Sequence, residues 1–198
     1  KVDVSGDAGG GTALIGGNVQ GKGTERTSRA TYTSEGSVIN ADAVRAGKGG
    51  TVAVWSDEVT RTSAAISARG GSTAGDGGFI ETSSKGVLSL GDAAPTIGAA
   101  KGKGGTWLID PEDITISAAG NANITLSNPF TPVDGSGSSV LNVTTLLNAM
   151  TGGVSVVVNT QNAGNDGADA GNINVTVPID YNGKGNNGHK NGNDGGSS

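Results

Sequence analysis

The sequence predicts an all-β chain: a parallel β-helix, or solenoid, with about three short strands per coil and one short helix near residues 142–150. Three observations carry this. A double-glycine motif followed by an alternating, mostly apolar run recurs four times, at Gly10-Gly11, Gly49-Gly50, Gly77-Gly78 and Gly104-Gly105. Two further apolar segments keep step with it in each repeat. Glycine is abundant, at 37 of 198 residues, while aromatic residues make up only 3%. Such a composition cannot fill a broad globular core, but it suits a narrow one shared between stacked neighbours.

The second glycines lie at 11, 50, 78 and 105, giving spacings of 39, 28 and 27. A period in the twenties is the mark of stacked structural repeats. In the last three copies the motif is preceded by an x-Ile-x-Ala segment (Ile39, Ile66, Ile97) and followed nine residues on by Val59, Val87 and Ile114. The expected columns are therefore Ile39/Ile66/Ile97, Val52/Ile80/Trp107 and Val59/Val87/Ile114, with parallel neighbours about 4.8 Å apart. Alternation points Val52, Val54, Ile80, Thr82, Trp107 and Ile109 inward, and Thr51, Ala53, Phe79, Glu81, Thr106 and Leu108 outward.

In chain order, residues 1–117 form the regular coils. Within them the interval 23–36 lengthens the first spacing and carries an additional strand, in which Ala30, Tyr32 and Ser34 alternate with threonines. Residues 118–181 form a less regular continuation. Pro111 interrupts the period, a strand is expected at Asn123–Ser127, and the region holds Pro129 and Pro132. Val143, Leu146, Leu147 and Met150 then fall on one helical face, with Gly152 and Gly153 as a stop. Strands are expected at Val154–Asn159 and Ile173–Ile179. Residues 182–198 have no apolar pattern and read as a flexible Gly/Asn-rich tail.

The net charge of −5 argues against nucleic acid as a partner, and no apolar run is long enough to span a bilayer as a helix. Without cysteine there can be no disulfide, thiol catalysis or cysteine metal site.

The ordered series Gly49-Gly50-Thr51-Val52-Ala53-Val54-Trp55-Ser56-Asp57, Ala65-Ile66-Ser67-Ala68-Arg69-Gly70-Gly71, Gly75-Asp76-Gly77-Gly78-Phe79-Ile80-Glu81-Thr82-Ser83 and Gly104-Gly105-Thr106-Trp107-Leu108-Ile109-Asp110-Pro111 resembles successive segments of filamentous haemagglutinin-like exoproteins. These are the secreted partners of bacterial two-partner secretion. The likeness is sharpest over residues 1–117 and continues to about Tyr181. It implies an internal segment of a right-handed parallel β-helix, export through an outer-membrane β-barrel transporter, and a place on the cell surface or in the medium.

Candidate chemistry is sparse, and the sequence assigns no catalytic, cofactor or metal residue. Asn165-Asp166-Gly167 and Asn193-Asp194-Gly195-Gly196 have the composition of calcium loops but lack tandem repetition, so they read as turns. His189, the only histidine, has no companion ligands. The outward acids Asp57, Asp76, Glu81, Asp92 and Glu112, with Arg61 and Lys85 nearby, show no spacing that demands a catalytic cleft. Asp57, Lys85 and Glu112 occupy equivalent places in consecutive coils, an ion-pair column on the surface. Trp107 is assigned to the core and Trp55 to a strand end. Sequons at Asn123, Asn142 and Asn174 are compatible with glycosylation.

The resulting expectation is a non-enzymatic structural or adhesive stem that serves attachment, aggregation or extracellular matrix. Its partners would be host-cell or matrix polymers, other copies of itself and the transporter during secretion. The alternatives are a β-helix carbohydrate-active enzyme, or the stem of a contact-dependent toxin or haem-acquisition exoprotein.

Overall fold

The computed structural model describes residues 1–121, 139–160 and 171–181. Over these the chain is mostly β, with strands β1 (Val2–Asp3), β2 (Thr12–Ile15), β3 (Ala30–Thr33), β4 (Val38–Asn40), β5 (Thr51–Val54), β6 (Val59–Thr62), β7 (Ala65–Ser67), β8 (Phe79–Ser83), β9 (Val87–Leu90), β10 (Thr106–Asp110), β11 (Ile114–Ser117), β12 (Ser139–Asn142), β13 (Ser155–Val158) and β14 (Ile173–Val175). One helix, α1 (Val143–Met150), follows β12 directly. The strands form three parallel sheets: β1-β4-β7, β13-β10-β8-β5-β2 and β14-β11-β12-β9-β6-β3. The expected strand at Asn123–Ser127, most of the Gly/Asn/Asp loop at 162–172, and the tail lie outside the described residues.

The second sheet follows the repeat residue for residue. Thr51 pairs with Phe79 and Phe79 with Thr106, so Val52, Ile80 and Trp107 stand side by side. All three are buried, as are Val54 and Ile109. The double glycines are explained by close approach: a Cβ on Gly50 would overlap the Gly11 carbonyl oxygen, and one on Gly78 the Gly50 carbonyl oxygen. Each motif thus packs its backbone against the motif before it.

The other two columns depart from expectation. In the first sheet Ile39 pairs with Ile66, but Ser67 bridges Thr96, which places Ile97 beside Ala68. The cause is the corner that precedes it. Gly91–Pro95 leads into this segment, where Ser63–Ala64 suffices in the preceding repeat. Ile97 is still buried in the same core.

In the third sheet Val59 does pair with Val87, yet Ile114 is not their neighbour. Strand β12 lies between β9 and β11, pairing Val140 with Ser89 on one side and Ser139 with Ile114 on the other. The phase differs as well: Ile114 and Ile116 line the core with Leu88, Leu90 and Leu141, whereas Val59 faces outward. Strands β9 and β11 start together, the Glu112 N–H donating to the Gly86 carbonyl, and then separate to admit β12. Ser139 helps at the junction, its hydroxyl accepting from the Leu88 N–H at 2.9 Å.

The long first spacing has a different origin from the one expected. Strand β3 is not additional; it is the ordinary third-sheet strand, in register with β6, and its buried side chains are Thr31 and Thr33. The surplus is Gly16–Arg29 between β2 and β3, where only Trp55–Glu58 separates β5 from β6.

Helix α1 forms where its periodicity places it, with the Asn142 side chain accepting from the Thr144 and Thr145 N–H groups as N-cap. Its buried face centres on Thr145, Leu146 and Ala149, leaving Leu147 half-buried. Strand β14 is shorter than expected, and its exposed side chains mark it as a sheet edge.

Candidate functional site

The chemically richest region is the outer face of the second sheet. By alternation it carries Ala53 and Trp55 on β5 and just beyond, Glu81 and Ser83 on β8, and Leu108 and Asp110 on β10. Pointing away from the core here does not mean exposure: Trp55, Glu81, Ser83 and Asp110 are all fully buried.

Part of the cover is the surplus segment between β2 and β3, which acts as a strap. Asn18 starts a short 3-10 turn, Val19–Gly21, by accepting from the Val19 N–H at 2.7 Å. Gln20 sits in the left-handed region at φ 56°, unusual for a residue with a side chain. In that conformation its N–H donates to both carboxylate oxygens of Glu81, at 3.0 and 2.9 Å. Gly17 and Gly21 lie flat on the indole of Trp55, and a Cβ on Gly21 would overlap the ring.

Burial pushes the Glu81 carboxyl above its ordinary value. Asp110 pushes the same way, while the hydrogen bonds from Ser83 and Gln20 and the charge of Lys22 oppose it. The Lys22 ammonium itself donates to the Gln20 side-chain oxygen at 2.8 Å. With Gln20 seated on Glu81, no substrate can reach that carboxylate in this conformation.

Of the expected column Asp57, Lys85 and Glu112, the first two meet as an ion pair at the corner after the second sheet. Lys85 pairs with Asp57 at 3.3 Å, with its ammonium 5.6 Å from the centre of the Trp55 ring. Asp57 also accepts from the Thr27 hydroxyl at the foot of the strap, at 2.7 Å. Glu112 lies on the next level. Trp107 is in the core as expected, its Nε1 donating to the Thr82 hydroxyl at 3.0 Å. Arg61 is on the third sheet, away from Glu81, and Asp92 is at the corner after β9.

Asn121 was not singled out by sequence and no pattern marks it, yet it is a buried hub. Its Nδ2 donates to the Gly91 carbonyl and the Thr145 hydroxyl, and its Oδ1 accepts from the Asn142 N–H. It thereby ties the Gly91 corner to β12 and α1. Asn142 is similarly committed, its Nδ2 donating to the Ala118 and Ala119 carbonyls. That sequon is therefore part of the fold, whereas Asn174 is exposed on β14. The sequon at Asn123, His189 and both calcium-like loops lie outside the described residues.

Among the described residues no cluster of three or more His, Asp or Glu side chains is placed to hold a metal ion, and no helix is long and apolar enough to cross a membrane. No protein-family model matches the chain, and no curated protein matches it.

Proposed function

We propose that the three parallel sheets are the walls of a right-handed parallel β-helix, and that the chain is a stem segment of a bacterial exoprotein of the filamentous haemagglutinin-like kind. The observation that carries this reading is the second sheet. Five strands from successive repeats stand in parallel register, with the double glycines stacked at the same place in β2, β5, β8 and β10. Such a ladder can be extended by adding repeats, which is what a stem requires.

In this reading the protein is not an enzyme. It is exported through an outer-membrane β-barrel transporter and works at the cell surface or in the medium. It holds a binding region away from the cell or contributes to matrix, using many weak contacts along a rod, whose strength comes from effective concentration. Deleting the gene for the parent protein should reduce bacterial attachment or aggregation. Unchanged attachment, or release of new reducing ends from polysaccharides by the purified chain, would overturn the reading.

A further inference from the structure

The net charge of −5 conceals a local excess of positive charge. At the corner between the first and second sheets, residues 45–48, 73–76 and 101–103 run beside one another on three successive levels. Ala46 bridges Ala74, Gly75 bridges Lys101, the Gly49 N–H donates to the Asp76 carbonyl, and the Gly77 N–H donates to the Lys103 carbonyl. Arg45, Lys48, Lys101 and Lys103 project from this corner, all exposed.

Four cations without carboxylate partners lie together here; Lys22 and Arg26, on the strap, also have no carboxylate within ion-pair distance among the described residues but lie elsewhere. Lys1, Arg29, Arg69 and Lys85 each pair with a carboxylate, but the four of the corner have none within ion-pair distance among the described residues. The acids of the corner are Asp7 and Asp76. The Asp76 carboxylate accepts from the Lys103 backbone N–H at 2.8 Å, so it helps to shape the turn.

Alongside lies an open groove of about 450 Å³ on the outer face of the first sheet. It spans the same three levels, and its rim residues Val44, Ser72 and Ala100 immediately precede Arg45, Thr73 and Lys101. Gly98, with no side chain, and Ala99, with only a methyl group, line it, which allows a sugar ring to come close. Arg69 is held in the groove by Asp42, through Nε at 2.9 Å and the terminal nitrogen at 2.6 Å. Asn40 uses its Oδ1 to accept from the Asp42 N–H and the Ser67 hydroxyl, leaving its Nδ2 as a donor.

We propose that this groove and its basic corner form a binding strip for an acidic polysaccharide with one carboxylate on each sugar. The polymer would lie along the stacking direction. Parallel strands are about 4.8 Å apart, so the cations of the first level, Arg45 and Lys48, and those of the third, Lys101 and Lys103, stand about 9.6 Å apart, close to the advance of two sugars along an extended pyranose chain, and carboxylates on alternate sugars meet them. The strip contains no aromatic side chain on which a base could stack, which disfavours single-stranded nucleic acid. The idea rests on the stem reading only for where such a polymer would be encountered.

The test uses the full chain and a galacturonate octamer, at low salt and without divalent cations, with binding measured by calorimetry. Replacing Arg45, Lys48, Lys101 and Lys103 together by Gln should weaken binding at least tenfold. Arg26→Gln, on the strap, should leave it unchanged, and added salt should weaken wild-type binding. Should the quadruple variant fail to fold by circular dichroism, the triple variant Lys48→Arg, Lys101→Arg, Lys103→Arg must retain binding and R45Q/K103Q must lose part of it. Absence of binding, equal binding of a neutral glucan octamer, tighter binding of a single-stranded oligonucleotide, or binding indifferent to the four substitutions would each overturn the proposal. Such a failure, with attachment still lost on gene deletion, would remove the strip and leave the stem reading standing. Binding here with unchanged attachment would do the reverse.

Discussion

The two faces of the second sheet are both buried, but for different reasons. The inner face, Val52, Ile80 and Trp107, is buried because each repeat brings an apolar residue to the same place, so neighbours cover one another. Part of the outer face, at Trp55 and Glu81, is buried under the strap between β2 and β3. Repetition builds a face shared by every level, whereas an insertion closes one patch and places on it groups that the repeat alone would leave in water. Glu81 is such a group: its direction follows from alternation, but its environment comes from Gln20 some sixty residues earlier in the chain.

The largest contrast is expected at Ile80. Ile80→Asp would place an unpaired carboxylate in the shared core and should cost about 4 kcal/mol or more, whereas Thr51→Asp on the half-buried outer ladder should cost less than about 1 kcal/mol. Equal losses in urea denaturation would break the distinction between the faces.

A smaller loss is expected from Gly21→Val, which affects only the outer face. The new side chain would meet the Trp55 ring at a position with φ +62°, so the strap should lift at a cost of about 2 kcal/mol. Limited proteolysis should then cut within residues 16–29 while the strands stay protected. Loss of the whole fold would mean that strap and core are one unit.

Glu81→Gln sharpens the comparison through pH. The folded carboxyl titrates above its unfolded value. The stability this shift contributes is therefore fully present below the unfolded pKa and lost as pH rises through the folded one. Wild type should lose melting temperature across that window and the Gln variant should not, leaving the variant at least as stable at neutral pH. A wild-type melting temperature that rises through the same window would contradict the assigned burial.

The smallest effect belongs to the exposed ion pair. Lys85→Ala should change stability by less than about 1 kcal/mol, with part of that from the contact with Trp55.

What sequence made legible follows the same division. The double-glycine motif located β2, β5, β8 and β10 and the phase of their inner face, because each copy meets the next copy of itself. The helix was legible from local spacing together with the following glycines, although its buried face turned toward Thr145 and Ala149. The column Val59/Val87/Ile114 failed because equal spacing says nothing about a strand arriving from elsewhere, and β12 inserts there. The strap, the Asn121 hub and the basic corner were not legible. Each depends on contacts between residues that no period relates, and the corner's charge was masked by acids distributed over the rest of the chain.

The most direct test of burial by insertion is acrylamide quenching of Trp55 fluorescence in a Trp107→Phe background, where Trp55 is the only remaining tryptophan. With the strap seated on the indole, emission should be blue-shifted and poorly quenched, becoming red-shifted and readily quenched when Gly21→Val is added. Red-shifted, freely quenched emission before that change would contradict the account.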